Sequence, residues 1–236
     1  MEVHNAAEND ILYRKLETNM TIRLVNLPSR DNQEIDISLS NYDFQVRNEE
    51  HEALSYSCRY QTHGFEGQPF HVTRNLFNAL SVLRHPSQTR LLWIDAISIN
   101  QTDIAEWAQQ VSLMALFYSQ AAMVFIWIGG DVDCEAVYNF LQVAIQVRDR
   151  YPVVLTGHGH SWKAARDILE SGKFEDEINA TLTFLKDPWF TRWWTFQEAF
   201  LSKTATILAK TGAVIWRSFV IIMNFVEATG HRDLCI

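Results

Sequence analysis

The sequence has few cysteines, little proline and no long hydrophobic run. Its three cysteines, Cys58, Cys134 and Cys235, are far apart and odd in number, so neither a disulfide framework nor a metal-binding cluster is indicated. The longest apolar stretch, Phe219 to Val226, is interrupted by Asn224 and is too short to span a membrane. The N-terminus is polar and acidic, unlike a signal peptide. These absences predict a cytoplasmic protein with no membrane span.

Positive charge is also scarce. The chain of 236 residues has 20 lysines and arginines against 28 acidic residues, for a net charge of −8, and it has no basic run. A nucleic-acid partner is therefore not expected. The segment Gly157–His160 contains two histidines without a nearby cysteine or carboxylate pair, so we interpret it as a solvated loop. We predict neither a metal site nor a bound cofactor.

Hydrophobic residues make up 47% of the chain and alternate between strand-like and helix-like patterns. Two alternating stretches, Thr21–Leu27 and Glu34–Leu39, predict a β-hairpin after a polar arm at 1–20. Further predicted strands lie at 52–57, 91–99, 123–128 and 205–209, and predicted helices at 75–83, 103–119, 134–149, 176–185 and 216–228. This order predicts one domain at 21–236 with an open, mostly parallel α/β sheet, helices on both faces, and a helical insertion at 131–186.

The helix predicted at 103–119 has the clearest periodicity. Asp103 and Glu106 occupy the N-cap and N3 positions of a capping box, which gives Glu106 a structural explanation. We expect its buried face to be one continuous apolar stripe at positions 104, 107, 108, 111, 114, 115 and 118.

The segment Asp187–Ser202 gathers three tryptophans around one carboxylate, Glu198. Asp187 is a plausible N-cap and the following proline suits a first turn. A continuous helix would place Phe190, Trp194 and Glu198 on one face. Two interpretations remain open: the carboxylate is partly desolvated and suited to chemistry, or the segment is a core helix whose glutamate faces water.

Polar residues follow the predicted strands. Ser55 and Tyr56 end one strand, and Asn100 and Gln101 follow the next. In open α/β sheets, ligands bind beyond the carboxyl ends of the strands, where the strand order reverses. Glu198 stands on the helix expected after the third strand, so we predict a ligand site in this region.

Three blocks carry a family resemblance. The sequences EALSYSC at 52–58, LLWIDAISINQTDIAEWAQQVSLM at 91–114 and WFTRWWTFQEA at 189–199 resemble the signature blocks of the fungal heterokaryon incompatibility (HET) domain. The likeness extends over about residues 20 to 220. It implies a role in non-self recognition and programmed cell death after incompatible hyphae fuse.

The HET domain in turn looks like a remote relative of TIR domains, which have a flavodoxin-like sheet and in some cases cleave NAD. By that likeness Glu198 is the catalytic residue and Trp194 lines the nicotinamide pocket. Ser55, Tyr56, Asn100 and Gln101 would then bind ribose or phosphate. NAD would be a substrate rather than a cofactor. The alternative implied by the resemblance is a non-catalytic module that acts by self-association, and either activity is expected of a homo-oligomer.

The sequence departs from the HET pattern in the first two blocks. The first block usually ends in Trp-Gly and here ends in Cys58-Arg59. A glycine at that position would allow close approach of a ligand. Arg59 either blocks the crevice or supplies a guanidinium to a phosphate. In the second block, Ser98 replaces a cysteine and Trp107 replaces an arginine.

Overall fold

The computed structural model describes residues 13–31, 35–44, 50–57, 72–129, 133–150, 167 and 171–228. The chain forms two compact units, one of residues 1–124 and 200–203, the other of residues 125–199 and 204–236. The described strands are β1 Thr21–Leu27, β2 Ser38–Asp43, β3 Glu52–Tyr56, β4 Arg90–Trp93, β5 Met123–Trp127, β6 Ala205–Ala209 and β7 Gly212–Ile215. The described α-helices are α1 Arg74–Leu83, α2 Asp95–Ser98, α3 Ile104–Gln120, α4 Cys134–Arg150, α5 Glu175–Leu185, α6 Trp193–Leu201 and α7 Trp216–Ala228.

The strands form an open, mixed α/β sheet in the order β2-β1-β4-β3-β5-β6-β7. Strand β3 pairs with β4 in parallel, whereas β1 pairs with β2 and β4, and β6 with β7, in antiparallel fashion. Counted from β3, the central strands β4-β3-β5-β6 have the order 2-1-3-4 of flavodoxin-like sheets. The predicted fold class is confirmed.

The N-terminal hairpin is confirmed with a shifted second strand. Strand β2 begins at Ser38 rather than at Glu34, and Asn26 pairs with Ser38 while Thr21 pairs with Asp43. Strand β7 was missed because its four residues stand directly before a helix and are too few to show a period. The predicted helices of the 131–186 segment are confirmed as α4 and α5, which contact each other in the second unit.

The strand predicted at 91–99 is wrong beyond Trp93. The chain turns there into the short helix α2, whose Ser98 N–H donates to the carbonyl of Ile94 at 2.7 Å. The Ser98 hydroxyl accepts the Ile94 N–H at 3.1 Å, and the Asp95 carboxylate accepts the Ala96 N–H at 2.7 Å. An apolar run does not by itself distinguish strand from helix, and these local side-chain bonds decide for the helix. Asp95 is therefore a helix residue and not the strand residue we expected.

Helix α3 begins where the cap predicts, but its buried face is not the predicted stripe. The Asp103 carboxylate accepts the N–H groups of Ala105 and Glu106, both at 3.0 Å. Ile104 is 81% exposed and Trp107 is 46% exposed. The fully buried positions are Gln110, Phe117 and Tyr118. Of these only 118 belongs to the predicted stripe, so that expectation is wrong for most of the helix.

The inner face of α3 is set by packing in the first unit. The rings of Phe117 and Tyr118 each lie 5.3 Å from the buried Trp93 ring, and the Gln110 amide donates to the carbonyl of Thr21 at 3.1 Å. These contacts orient the helix toward β1 and β4, and the apolar residues of its first turns remain at the surface. Among the described residues, no helix is both long and apolar enough to cross a membrane.

Candidate functional site

The tryptophan-rich segment begins with the predicted cap and then departs from the prediction. The Asp187 carboxylate accepts the Trp189 N–H at 2.9 Å, and a 3-10 turn covers Pro188–Thr191. Arg192 is extended, with φ −89° and ψ 123°, and α6 starts after it. The continuous helix is therefore wrong. The single aromatic face expected for Phe190, Trp194 and Glu198 does not exist.

Packing in the second unit explains the break. Trp189 is buried with its ring 5.8 Å from Trp216, and Phe190 is buried with its ring 5.3 Å from Phe219. The Thr195 hydroxyl lies 2.7 Å from the carbonyl oxygen of Trp189 and 2.6 Å from that of Arg192. The buried Thr195 hydroxyl thus contacts the carbonyl oxygens at the end of the turn. In a continuous helix these oxygens would accept backbone N–H groups of later residues instead.

Glu198 is buried on the inner face of α6. Its residue is only 7% exposed, and its helical neighbours Thr195 and Ala199 are buried as well. The spacing of three and four residues defines one face of the helix. The interpretation in which this glutamate faces water is therefore wrong. Removing a carboxylate from water costs free energy unless its surroundings compensate the lost hydration. The buried position of Glu198 is therefore energetically demanding.

Trp194 lies elsewhere on the same helix. It is 63% exposed, although four residues separate it from Glu198. Its indole presents a large apolar surface in the first turn of α6, where a flat ligand ring could stack. The role of Trp194 at nicotinamide stays a prediction.

Ser55 and Tyr56 are buried in β3, and neither presents a freely exposed side chain. The strand that carries them is held by the hydroxyl of Tyr118, which donates to the carbonyl of Leu54 at 3.4 Å. Their contact with ribose or phosphate stays a prediction. Arg59, assigned to the same ligand, lies outside the described residues, as does the segment 157–160.

Asn100 and Gln101 lie together in the turn before α3. The Asn100 side-chain oxygen accepts the N–H and the hydroxyl of Thr102, at 3.1 and 2.7 Å. The Gln101 amide donates to the carbonyl of Asp95 at 3.0 Å. Both side chains shape this turn, so a ligand would meet them already positioned by local hydrogen bonds. The role of Asn100 and Gln101 as ligand contacts stays a prediction.

A buried ion pair that the sequence pattern did not predict lies beside that turn. Arg23, buried in β1, contacts both carboxylate oxygens of Glu106 on α3. Glu106 also accepts the N–H of Asn100 at 2.8 Å, and Arg23 donates to the carbonyl of Arg14 at 2.6 Å. Glu106 is thus structural, as expected. However, its carboxylate does not reach back to Asp103, whose N–H donates to Asn100 instead. The signal for this ion pair in the sequence was Arg23, a single charged residue within the apolar strand TIRLVNL.

Three groups in the described part of the chain have shifted pKa values. Burial raises the pKa of the Tyr13 hydroxyl, and the neighbouring Arg23 opposes this effect. Burial of His51 lowers the pKa of its imidazole, outweighing the opposite effect of the hydrogen bond to the carbonyl of Phe117. Burial of Cys134 raises the pKa of its thiol. His51 is therefore neutral and Cys134 protonated near pH 7. Within the described residues, no group of three or more His, Cys, Asp or Glu side chains is placed to hold a metal ion.

The chain belongs to the HET family. The model of this family, described as heterokaryon incompatibility protein, matches residues 31–198, which include α6 as far as Glu198. A curated relative, heterokaryon incompatibility protein 6, OR allele, from Neurospora crassa, is 41% identical over 157 aligned residues. That alignment covers 55% of this chain and 22% of the relative, so the chain spans about a fifth of the protein it matches. No solved structure matches the chain.

Proposed function

We propose that this HET chain acts in heterokaryon incompatibility by hydrolysing the nicotinamide–ribose bond of NAD, with Glu198 as the catalytic carboxylate. The observation that supports the proposal is the burial of Glu198 on a helix whose first turn carries the exposed Trp194. The name of the Neurospora relative supports the biological role. The choice of reaction follows the likeness to TIR domains, some of which cleave NAD with a glutamate at the matching position.

The reaction breaks the bond between nicotinamide nitrogen and the anomeric carbon of ribose. Nicotinamide leaves as a neutral molecule with the bonding electron pair, a water oxygen bonds to the anomeric carbon, and the released proton passes to solvent. The transition state resembles an oxocarbenium ion, which a carboxylate stabilises electrostatically. Glu198 supplies that negative charge or holds the ribose hydroxyls. Trp194 stacks on the nicotinamide ring.

A second candidate function has its own observation. Ile104 and Trp107 expose large apolar side chains on the first turns of α3. Exposed apolar residues beside one another are typical of surfaces that bind other proteins. A non-catalytic module that triggers cell death by self-association would use such a surface, and Glu198 would then be structural.

The experiment that separates the two is an assay of nicotinamide release from NAD by the purified chain. It is run over a range of protein concentrations, because self-association could be required for activity. The proposal predicts nicotinamide and ADP-ribose in equal amounts, with turnover per chain that rises or stays constant with concentration. No release at any concentration at which the protein self-associates would favour the non-catalytic module.

A further inference from the structure

Several buried side-chain atoms of the first unit lack a hydrogen-bond partner among the described residues, and the one hydroxyl among them is that of Ser57. Ser57, which directly follows β3, is 2% exposed, and its hydroxyl oxygen has no hydrogen-bond partner among the described residues. Burying a hydroxyl without a partner is costly, and such groups are rare in native proteins. A buried hydroxyl left unpaired at a strand end points to a ligand that completes it.

The surroundings of Ser57 indicate the charge of that ligand. The Asn75 side chain donates to the carbonyl of Ser57 at 2.7 Å, which holds the end of β3 against the first turn of α1. Helix α1 has ten residues, begins after the N-cap Thr73, and has no acidic residue in its first turn. The N-terminus of a helix carries partial positive charge and backbone N–H groups that have no intrahelical acceptor. The exposed Arg74 adds a full positive charge at the first helical position.

We propose that Ser57 and the first turn of α1 form a subsite for a phosphate group. Ser57 donates its hydroxyl to a phosphate oxygen, and the helix N-terminus and Arg74 balance the charge. A strand end followed by a helix N-terminus is a general arrangement for binding phosphate in open α/β sheets. This phosphate subsite lies within the first unit and does not rest on the proposed NAD hydrolysis.

The test is a calorimetric titration of the full chain with ADP-ribose, and with inorganic pyrophosphate as a competitor. ADP-ribose contains the diphosphate but no nicotinamide bond, so it is not consumed. Ser57→Ala removes only the hydroxyl and is expected to weaken ADP-ribose binding about tenfold. Arg74→Gln is expected to weaken it most at low salt, because its charge is exposed. Ser81→Ala is the matched control on α1, since the Ser81 hydroxyl already donates to the carbonyl of Phe77 at 2.8 Å.

Melting temperature keeps this test independent of folding. An unpaired hydroxyl contributes nothing to stability, so Ser57→Ala should melt at the wild-type temperature or slightly above it. A lower melting temperature with unchanged ADP-ribose affinity would overturn the proposal, because Ser57 would then be a structural group. Equal affinities of wild type and Ser57→Ala, or no binding of either probe by wild type, would also overturn it. ADP-ribose binding that depends on Ser57, in a chain that does not cleave NAD, would refute the proposed reaction and leave the subsite standing.

Discussion

Asp103 and Asp187 have the same capping role, but the segments that follow them differ. Each carboxylate accepts a backbone N–H two residues later, at 3.0 and 2.9 Å. After Asp103 the helix continues for 17 residues, and after Asp187 a 3-10 turn of four residues ends at Arg192. The cap chemistry therefore fixes where a helical segment begins and not how far it continues. Length is decided by what the following side chains contact.

The two segments also place a glutamate differently. Glu106 lies in the first turn of α3 and pairs with the buried Arg23, so its negative charge is balanced by a specific partner from another strand. Glu198 lies on the inner face of α6, three residues after Thr195, whose hydroxyl contacts the carbonyls at the break. The first glutamate joins two elements of the fold. The second is the carboxylate that we propose for chemistry.

The largest expected effect comes from breaking the buried pair. Glu106→Gln removes the charge that balances Arg23 and should lower the free energy of unfolding by about 3–5 kcal/mol. Chemical denaturation measures the loss. Glu52→Gln is the matched control, because the Glu52–Arg90 pair is partly exposed and should contribute about 0–1 kcal/mol. Equal losses in the two variants would contradict the structural role of the Arg23 pair.

A smaller effect is expected at the break before α6. Thr195→Val keeps the side-chain volume and removes the hydroxyl that contacts Trp189 and Arg192, which should cost about 1–3 kcal/mol of unfolding free energy. Thr183→Val is the control, since that hydroxyl donates to Asn179 on an exposed helix face. If Thr195→Val were as stable as Thr183→Val, packing of Trp189 and Phe190 alone would account for the break.

Removing each cap tests whether Asp103 and Asp187 differ in their effect on the segments that follow them. Asp103→Ala should cost about 1 kcal/mol and reduce the helical circular dichroism signal, because it frays the start of a long helix. Asp187→Ala should lower stability by at least as much, since Asp187 is buried, while the helical signal barely changes. A comparable loss of helical signal in both variants would show that α6 depends on the Asp187 cap after all.

The smallest expected effect concerns pH and the far end of α3. The His51 ring lies 5.6 Å from the Phe44 ring, and its Nε2 atom lies 3.2 Å from the carbonyl oxygen of Phe117. Its pKa is lowered in the folded protein, so the unfolded chain binds a proton first as the pH falls. The stability that depends on neutral His51 is fully present above the pKa of histidine in the unfolded chain, about 6.5. Below that pH the free energy of unfolding decreases by at most about 1.4 kcal/mol per pH unit.

Denaturation of His51→Phe at several pH values between 5 and 7 checks this. The variant loses the bond to Phe117 and should be less stable at pH 7, but its stability should depend less on pH than that of wild type. An identical pH dependence in the two proteins would show that another group is responsible. The half-buried His85, whose Nδ1 accepts backbone N–H groups of Ser87 and Gln88, provides the control variant His85→Phe.

Local signals predicted most element boundaries and no long-range contacts. The starting positions of α3 and of the segment after Asp187 followed from Asp103 and Asp187, and the bounds of α7 followed from its apolar period. The buried face of α3 could not be predicted from its own sequence. It depends on Trp93 and on Arg23 of β1, which is 83 positions from Glu106 in the sequence. A periodic pattern indicates that a helix is amphipathic, whereas the neighbouring elements determine which residues become buried.

The candidate site was predictable to the same extent. The tryptophan-rich segment identified Glu198 as the unusual carboxylate, and the structure places it in a buried position. The break between Phe190 and the helix that carries Trp194 and Glu198 was not predictable, since it follows from the extended conformation of one residue, Arg192. That conformation depends on the contact of Trp189 with Trp216, which belongs to α7, a helix later in the chain.

The catalytic role proposed for Glu198 is tested by assaying Glu198→Gln for NAD cleavage and measuring its melting temperature on the same preparation. Glu175→Gln is the matched control, an exposed glutamate at the start of α5. If Glu198 is the catalytic carboxylate, Glu198→Gln abolishes nicotinamide release and any cell-death phenotype while its melting temperature stays near that of wild type and Glu175→Gln. A Glu198→Gln protein that melts normally and still releases nicotinamide or kills cells would contradict this role.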